Sequence, residues 1–298
     1  MSAVSRFSLR PRHVFEVVGA PLLFLAAIVL VWKIALAQEW VSTRVLPHPE
    51  DIVTSFVDLS LSDIWWDDVA ATLYESVAGF LLGSALGLAL AIPSGLWRPM
   101  RRMLHPYAIG LQVTPRIAIA PLIIAWAGFG YSSKIWIAAI IAFFPVYVNA
   151  LTGMLTVDEE SREMFRSLGA SKWQTFTRLV TPSSLPVMFA GLKTAAGLSL
   201  VGAVVGEFIS AQRGLGVLVQ QFSYQQAVSD AFAVIVMLML LGLLLYAVME
   251  WIERATVFWL HDARLVARTR RRAARARKRA ARGSDVAAGS KAIGAGQR

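Results

Sequence analysis

The sequence predicts an all-α integral membrane protein of about six transmembrane helices, with a cytoplasmic two-helix loop between the fourth and fifth. Three observations predict it. The 298 residues are 56% hydrophobic and 16% charged, with a mean hydropathy of +0.58, a balance foreign to soluble domains. Six stretches reach the roughly 20 mostly apolar residues that a span requires. Lys and Arg are alternately abundant and scarce in the segments between them.

In chain order the stretches are residues 17–37, 70–96, 107–127, 135–155, 185–207 and 231–251. The first follows Arg6, Arg10 and Arg12 and ends in Ala35-Leu36-Ala37, imitating a cleavable signal peptide. Its apolar run exceeds the usual 7–15 residues and contains Lys33, which favours a retained span. The segment that follows carries Glu50, Asp51, Asp58, Asp63, Asp67 and Asp68. It reads equally as a solvated acidic loop or as an external helix entered through LPHPEDIV.

The second stretch repeats glycine every fourth residue, Gly79, Gly83 and Gly87. That spacing lines one helix face and allows close approach of a neighbour. The third stretch is the weakest, interrupted by Pro115, Arg116 and Pro121. In the fifth, Lys193 and Glu207 lie 14 residues apart, about 21 Å along a helix, so they do not pair; Lys193 is expected to snorkel inward. After Glu207, Gly214 and Gly216 are expected to turn the chain back at the outer surface.

With the N-terminus inside, the inner segments hold Arg98, Arg101, Arg102, Arg162, Arg166, Lys172 and Arg178, and the outer ones only Arg44, Lys134 and Arg213. An even number of spans returns the C-terminus to the cytoplasm. Residues 263–298 contain twelve Lys and Arg against the single acid Asp285, so the tail carries +11 of the net +10 and the remainder is −1. This Arg/Ala-rich tail is expected to be part helical and part disordered, with anionic inner-leaflet lipid as its partner. Aromatic interleaving is missing, which argues against nucleic acid.

Several chemistries are excluded or disfavoured. Cysteine is absent, so there is no thiolate nucleophile, disulfide or Cys metal site. His13, His48, His105 and His261 are widely separated, leaving no metal-ligand spacing. No GxxxxGK[ST] loop occurs, so the chain is not expected to hydrolyse ATP. No catalytic residue, cofactor site or metal site is assigned.

The polar segment VDEESREMFRSLGASKWQTFTRLVTPSSLP, residues 157–186, is read as two short helices joined at a corner. Thr156 with Glu159, and Ser171 with Gln174, fit capping boxes. Gly169 suits the left-handed end of the first helix, and Pro182, Ser184 and Pro186 are expected to stop the second helix and start the fifth span. Met164, Phe165 and Leu168 form an apolar stripe on the first helix; Trp173, Phe176 and Val180 form one on the second. Val180 and Leu179 are expected against the protein's own inner ends.

Glu163, Gly169 six residues on, and Pro182 thirteen further, with SLGASKWQTFTRLVTP around them, resemble the EAA loop of inner-membrane permease subunits of ATP-binding cassette importers. The resemblance covers residues 46–260, leaving residues 1–45 as an N-terminal arm with the first helix and 261–298 as the basic tail. It implies a bacterial inner-membrane subunit in which Glu163, Met164, Phe165, Leu168, Gly169, Ala170, Lys172 and Pro182 couple to a separate ATPase that carries ATP and Mg. It further implies a second permease copy, an extracytoplasmic solute-binding protein, and alternating access. Met164 and Phe165 replace the family's usual small pair, and Thr181 its usual leucine.

The resemblance also places Arg116, in TPRIAIAPL, and Glu207, in GAVVGEF, on the translocation pathway. For Glu207, a contact to the binding protein, a basic partner and a gate at the outer mouth are all open. Within the group resembling nitrate, sulfonate, taurine and pyrimidine systems, LVGAVVGEFISAQRGLGVL leans toward a pyrimidine-like heterocycle, with sulfonate or nitrate behind. Two other classes make distinct predictions. A secondary transporter requires a mid-membrane charge relay and repeated halves, and a scaffold acting through the basic tail would fail when residues 264–298 are removed.

Overall fold

The computed structural model describes residues 19–210 and 212–259, and among these there are helices and turns but no strand. The N-terminal arm before Gly19 and the basic tail lie outside the described residues.

Helix α1, Ala20–Ala37, begins with Pro21 at its first turn. It exposes Leu22, Phe24 and Val31 along its length, a surface suited to lipid rather than water. Its C-terminal end is tied down: Trp32 Nε1 donates to the Pro47 carbonyl at 3.1 Å, Lys33 pairs with Glu50, and the Trp32 and Phe232 rings lie 6.2 Å apart. Lys33 also holds the Glu50 carboxyl below its ordinary range. The acidic segment that follows is helical. Helix α2, Pro49–Ser60, has proline at its first turn and Glu50 and Asp51 near its positive N-terminus.

The centre is built from α3 (Asp63–Leu96), α6 (Tyr131–Leu155) and α9 (Thr181–Ser210). The expected glycine face makes this packing possible. A Cβ at Gly79 would lie 2.3 Å from Ala138 Cβ, and one at Gly83 would lie 2.4 Å from the Ala139 carbonyl oxygen. On α9, Gly202 approaches the same Ala138, its hypothetical Cβ 2.6 Å from Ala138 Cα. Three helices therefore touch almost backbone to backbone at one residue, where any side chain would separate them.

The third expected span is divided. Helix α4, Arg98–Val113, stops before Thr114, whose extended backbone (ψ 131°) is what a following proline demands. A 3₁₀ turn, Arg116–Ile119, and the short α5, Ala120–Ala127, complete the segment. Four helices are long and apolar enough to cross a membrane: Asp63–Leu96, Tyr131–Leu155, Lys172–Ser210 and Val228–Thr256. Residues 22–37 and 116–127 form shorter apolar helices, so six full-length spans are not all present among the described residues.

The remaining elements are α7 (Glu159–Ser167), α8 (Lys172–Thr175), α10 (Leu215–Tyr224) and α11 (Val228–Thr256). Helix α10 folds back beside the C-terminal end of α9, after a turn at Gly214 and Gly216. Lys193 pairs with Glu253 of α11, a carboxylate partner that the single-helix view omits, and sits 5.4 Å from the Tyr246 ring centre.

Candidate functional site

Two polar regions stand at opposite ends of α9. The one on its N-terminal side, called inner after the orientation that the positive-inside rule predicts, is the two-helix corner. Asp158, rather than Thr156, caps α7: its carboxylate accepts from the Ser161 backbone N–H at 3.2 Å and the Ser161 hydroxyl at 3.0 Å. These two bonds hold the Asp158 carboxyl below its ordinary range. Thr156 instead donates its hydroxyl proton to the Gly153 carbonyl, continuing α6. Glu159, freed from capping, lies 3.9 Å from both Arg162 and Arg166. The expected Thr156–Glu159 box is thus displaced by two residues, since an aspartate at the cap is equally competent.

Gly169 has φ +73° with open space around its Cβ position, so backbone conformation alone favours glycine there. The Ala170 N–H reaches the Phe165 carbonyl at 3.0 Å and the Gly169 N–H reaches Arg166 at 2.9 Å, the paired bonds of a Schellman end. The Ser171–Gln174 capping box forms in full. The corner is therefore fixed at both sides by local bonds.

Beyond it, the second helix does not stop at Pro182. Residues 172–210 run as one continuous helix of 39 residues. The turn Phe176–Val180 is π-helical, and the Thr181 N–H reaches back to the Phe176 carbonyl. This wider turn lies just before Pro182, which has no N–H to contribute, and the helix passes through the proline without ending.

Of the second apolar stripe, Phe176 and Val180 are packed while Trp173 is 65% exposed. Phe176 and Val180 are buried with Phe144, Tyr147, Leu151 and Met154, as Val180 was expected to be. On α7, Met164 is 54% and Leu168 77% exposed, Phe165 is half-buried, and Glu163 is exposed. Arg162 anchors this helix by donating to the Met154 carbonyl at 2.7 Å, one of the free carbonyls at the end of α6. The corner thus offers an apolar ridge beside a carboxylate on a helix held at its base.

The outer region inverts this pattern. Glu207 is 1% exposed and Glu75 0%. Glu207 accepts from the Thr72 hydroxyl at 2.6 Å and from the Gly216 N–H at 2.6 Å. Thr72 in turn accepts from the Leu215 N–H at 2.9 Å, and Asp68 from the Gly214 N–H at 2.7 Å. Lys134, 5% exposed, lies 3.0 Å from Glu75 without hydrogen-bond alignment, so that contact is one of charge. These bonds fasten the turn before α10 to α3 and α9 together.

Gly214 is required here twice over. Its φ is +125°, and a Cβ would fall 2.2 Å from the Glu207 carboxylate. Glu207 is consequently enclosed within this chain. Arg116, the other expected pathway residue, is half-buried; its guanidinium lies 3.5 Å from the Ile141 carbonyl and 5.5 Å from the Phe144 ring centre. Sequence reasoning missed Glu75 and read Lys134 as a loop residue. The 4-and-3 spacing of Asp68, Thr72 and Glu75, one polar face on an apolar helix, was the available signal.

The described residues thus form a multi-pass helical core with one sealed polar turn and one exposed corner. Residues 79–257 match the model of the binding-protein-dependent transport system inner membrane component family, and the chain belongs to it. It is 33% identical over 239 residues to the formylaminopyrimidine transport permease ThiX of Halalkalibacterium halodurans, covering 80% of this chain and 95% of that protein. It is 35% identical over 240 residues to SsuC of Escherichia coli, a permease assigned provisionally to aliphatic sulfonates, covering 80% and 91%. It is 32% identical over 260 residues to the riboflavin transport system permease RibX of Chloroflexus aurantiacus, covering 86% and 97%.

Among solved structures, the inward-facing MetNI methionine ABC transporter shares the fold with a TM-score of 0.59 at 19% identity, over 65% of this chain and 96% of that one. The protein is therefore a multi-pass inner-membrane permease subunit of an ATP-binding cassette importer. Such subunits work with a separate ATPase and a solute-binding protein.

Proposed function

We propose that the α7 corner is the ATPase-docking element and that the imported solute is a small nitrogen heterocycle. Glu163, Met164, Phe165, Leu168, Gly169, Ala170 and Lys172 form the contact, while Pro182 shapes the helix behind it. The observation that carries the docking reading is the ridge of Met164 and Leu168, apolar side chains exposed on a polar segment whose positive-inside bias puts it in the cytoplasm. ATP and Mg belong to the partner ATPase, and both termini of this chain are cytoplasmic. Two copies of the permease face each other, with the half-buried Arg116 lining the pathway and the binding protein delivering solute from outside.

Glu163→Ala and Gly169→Asp are expected to abolish coupled uptake in proteoliposomes while leaving the purified chain folded. Full uptake with normal ATPase copurification in both variants would refute the docking reading. The names of ThiX and RibX support the heterocycle. Competition of labelled pyrimidine uptake by unlabelled pyrimidines, riboflavin and alkyl sulfonates separates the candidates, and displacement by sulfonates alone assigns the substrate to that class instead.

A further inference from the structure

A cleft of about 340 Å³ opens between the turn joining α3 to α4 and the inner corner. Its walls carry Arg98, Arg101, Arg162, Arg166 and Lys172 against one carboxylate, Glu159. Glu159 is already shared between Arg162 and Arg166, and Arg162 also serves the Met154 carbonyl. Among the described residues, Arg98, Arg101 and Lys172 have no acidic partner within 4 Å. Like charges gathered in one concavity repel one another, and an anion placed among them relieves that cost.

The position of the cleft narrows the anion. Trp97, on its wall, is exposed at the end of the apolar helix α3, the depth where indole rings mark the boundary between hydrocarbon and headgroups. Basic pockets at that depth on the cytoplasmic side suit lipid phosphates. A planar guanidinium on Arg98 or Arg101 can take two phosphate oxygens at once.

We propose that this cleft binds a phosphate group, supplied by the headgroup of an anionic phospholipid of the inner leaflet. The site differs from the basic tail, and its Ala170 and Lys172 are shared with the proposed ATPase contact. A bound phosphate ties the α3–α4 turn to α7, linking the inner corner to the lipid around it.

The test uses the full chain in nanodiscs with phosphatidylglycerol carrying a diazirine on its headgroup, followed by peptide mapping of the adducts. Because the readout is local, lipid on the tail does not interfere. Adducts are expected on residues 95–101 and 162–172, with a phosphatidylcholine probe labelling them at least about fivefold less, the scale set by one basic residue near an anionic surface. Arg98→Gln with Arg101→Gln should lower this labelling by a similar factor or more, and Arg98→Lys with Arg101→Lys, which keeps the charge but loses the two-oxygen fork, should restore only part of it. Millimolar inorganic phosphate that suppresses the adducts supports the same site with a free anion as its occupant. Equal labelling by both probes on the wild-type chain overturns the proposal, as does unchanged labelling in a folded Gln pair.

Discussion

The two ends of α9 use opposite surface chemistry. At the outer end, charged and polar groups are enclosed: Asp68, Thr72 and Glu207 hydrogen-bonded around the turn before α10, and Glu75 paired by charge with Lys134. At the inner end, apolar groups stand exposed: Met164, Leu168 and Trp173. A buried charge that loses its partner is strongly destabilising, so the outer end is bound to one arrangement. An exposed apolar ridge lowers its free energy when something covers it, so the inner end would gain from the association proposed above. Substitutions at the outer end should therefore break the fold, and those at the inner end should break only its connection to a partner.

The largest effect is expected from Lys134→Met, which leaves Glu75 without its cation and should cost about 3–5 kcal/mol, read as a lowered unfolding midpoint in detergent. Adding Glu75→Gln should recover much of the loss, and a double variant no better than the single would detach Lys134 from Glu75. Gly214→Ala comes next. With φ +125° and a Cβ aimed at Glu207, about 2–3 kcal/mol of strain is expected, visible as faster proteolysis of the turn before α10.

At the inner end, Leu168→Ala should change the unfolding midpoint little, because an exposed side chain has few contacts to lose. ATPase affinity, measured by titration of labelled subunits, should fall about tenfold if Leu168 is an anchor of the contact. Normal affinity would remove the ridge from the interface. Ser171→Ala deletes one half of a complete capping box and should cost about 1 kcal/mol locally, seen as faster amide exchange over residues 172–176.

The smallest effect concerns acidity. The Asp158 carboxyl is depressed by its bonds to Ser161, so the cap is at full strength above the ordinary aspartate range near 3.8 and is lost as pH falls through the lower folded value. Amide exchange at Ser161 should quicken below that range in the wild type, and Asp158→Asn should flatten the dependence.

Much of this contrast is legible in the sequence, and the exceptions share a cause. Gly79, Gly83 and Gly169, the Ser171–Gln174 box and the turn at Gly214 are local features, and local spacing states them. The Glu75–Lys134 pair joins α3 to α6, Lys193–Glu253 joins α9 to α11, and neither partner can be read from its own helix. Pro182 was misjudged because a proline specifies a missing N–H but not how the backbone accommodates it; a π turn serves as well as a break. The split of the third span at Thr114 was signalled by Pro115, since the residue before a proline avoids helix.

The uninterrupted run from Lys172 to Ser210 has a mechanical consequence. Its 39 residues span about 58 Å at the usual helical rise, with the inner corner at one end and the Glu207 fastening near the other. Such a shaft works as a lever: with one end as pivot, a tilt of about 3° swings the far end by about 3 Å over that length, comparable to a hydrogen-bond length. The Phe176–Val180 turn, wider than the rest of the shaft, sits close to the corner, so whatever compliance it has is spent at that end and the long arm beyond it moves as one piece.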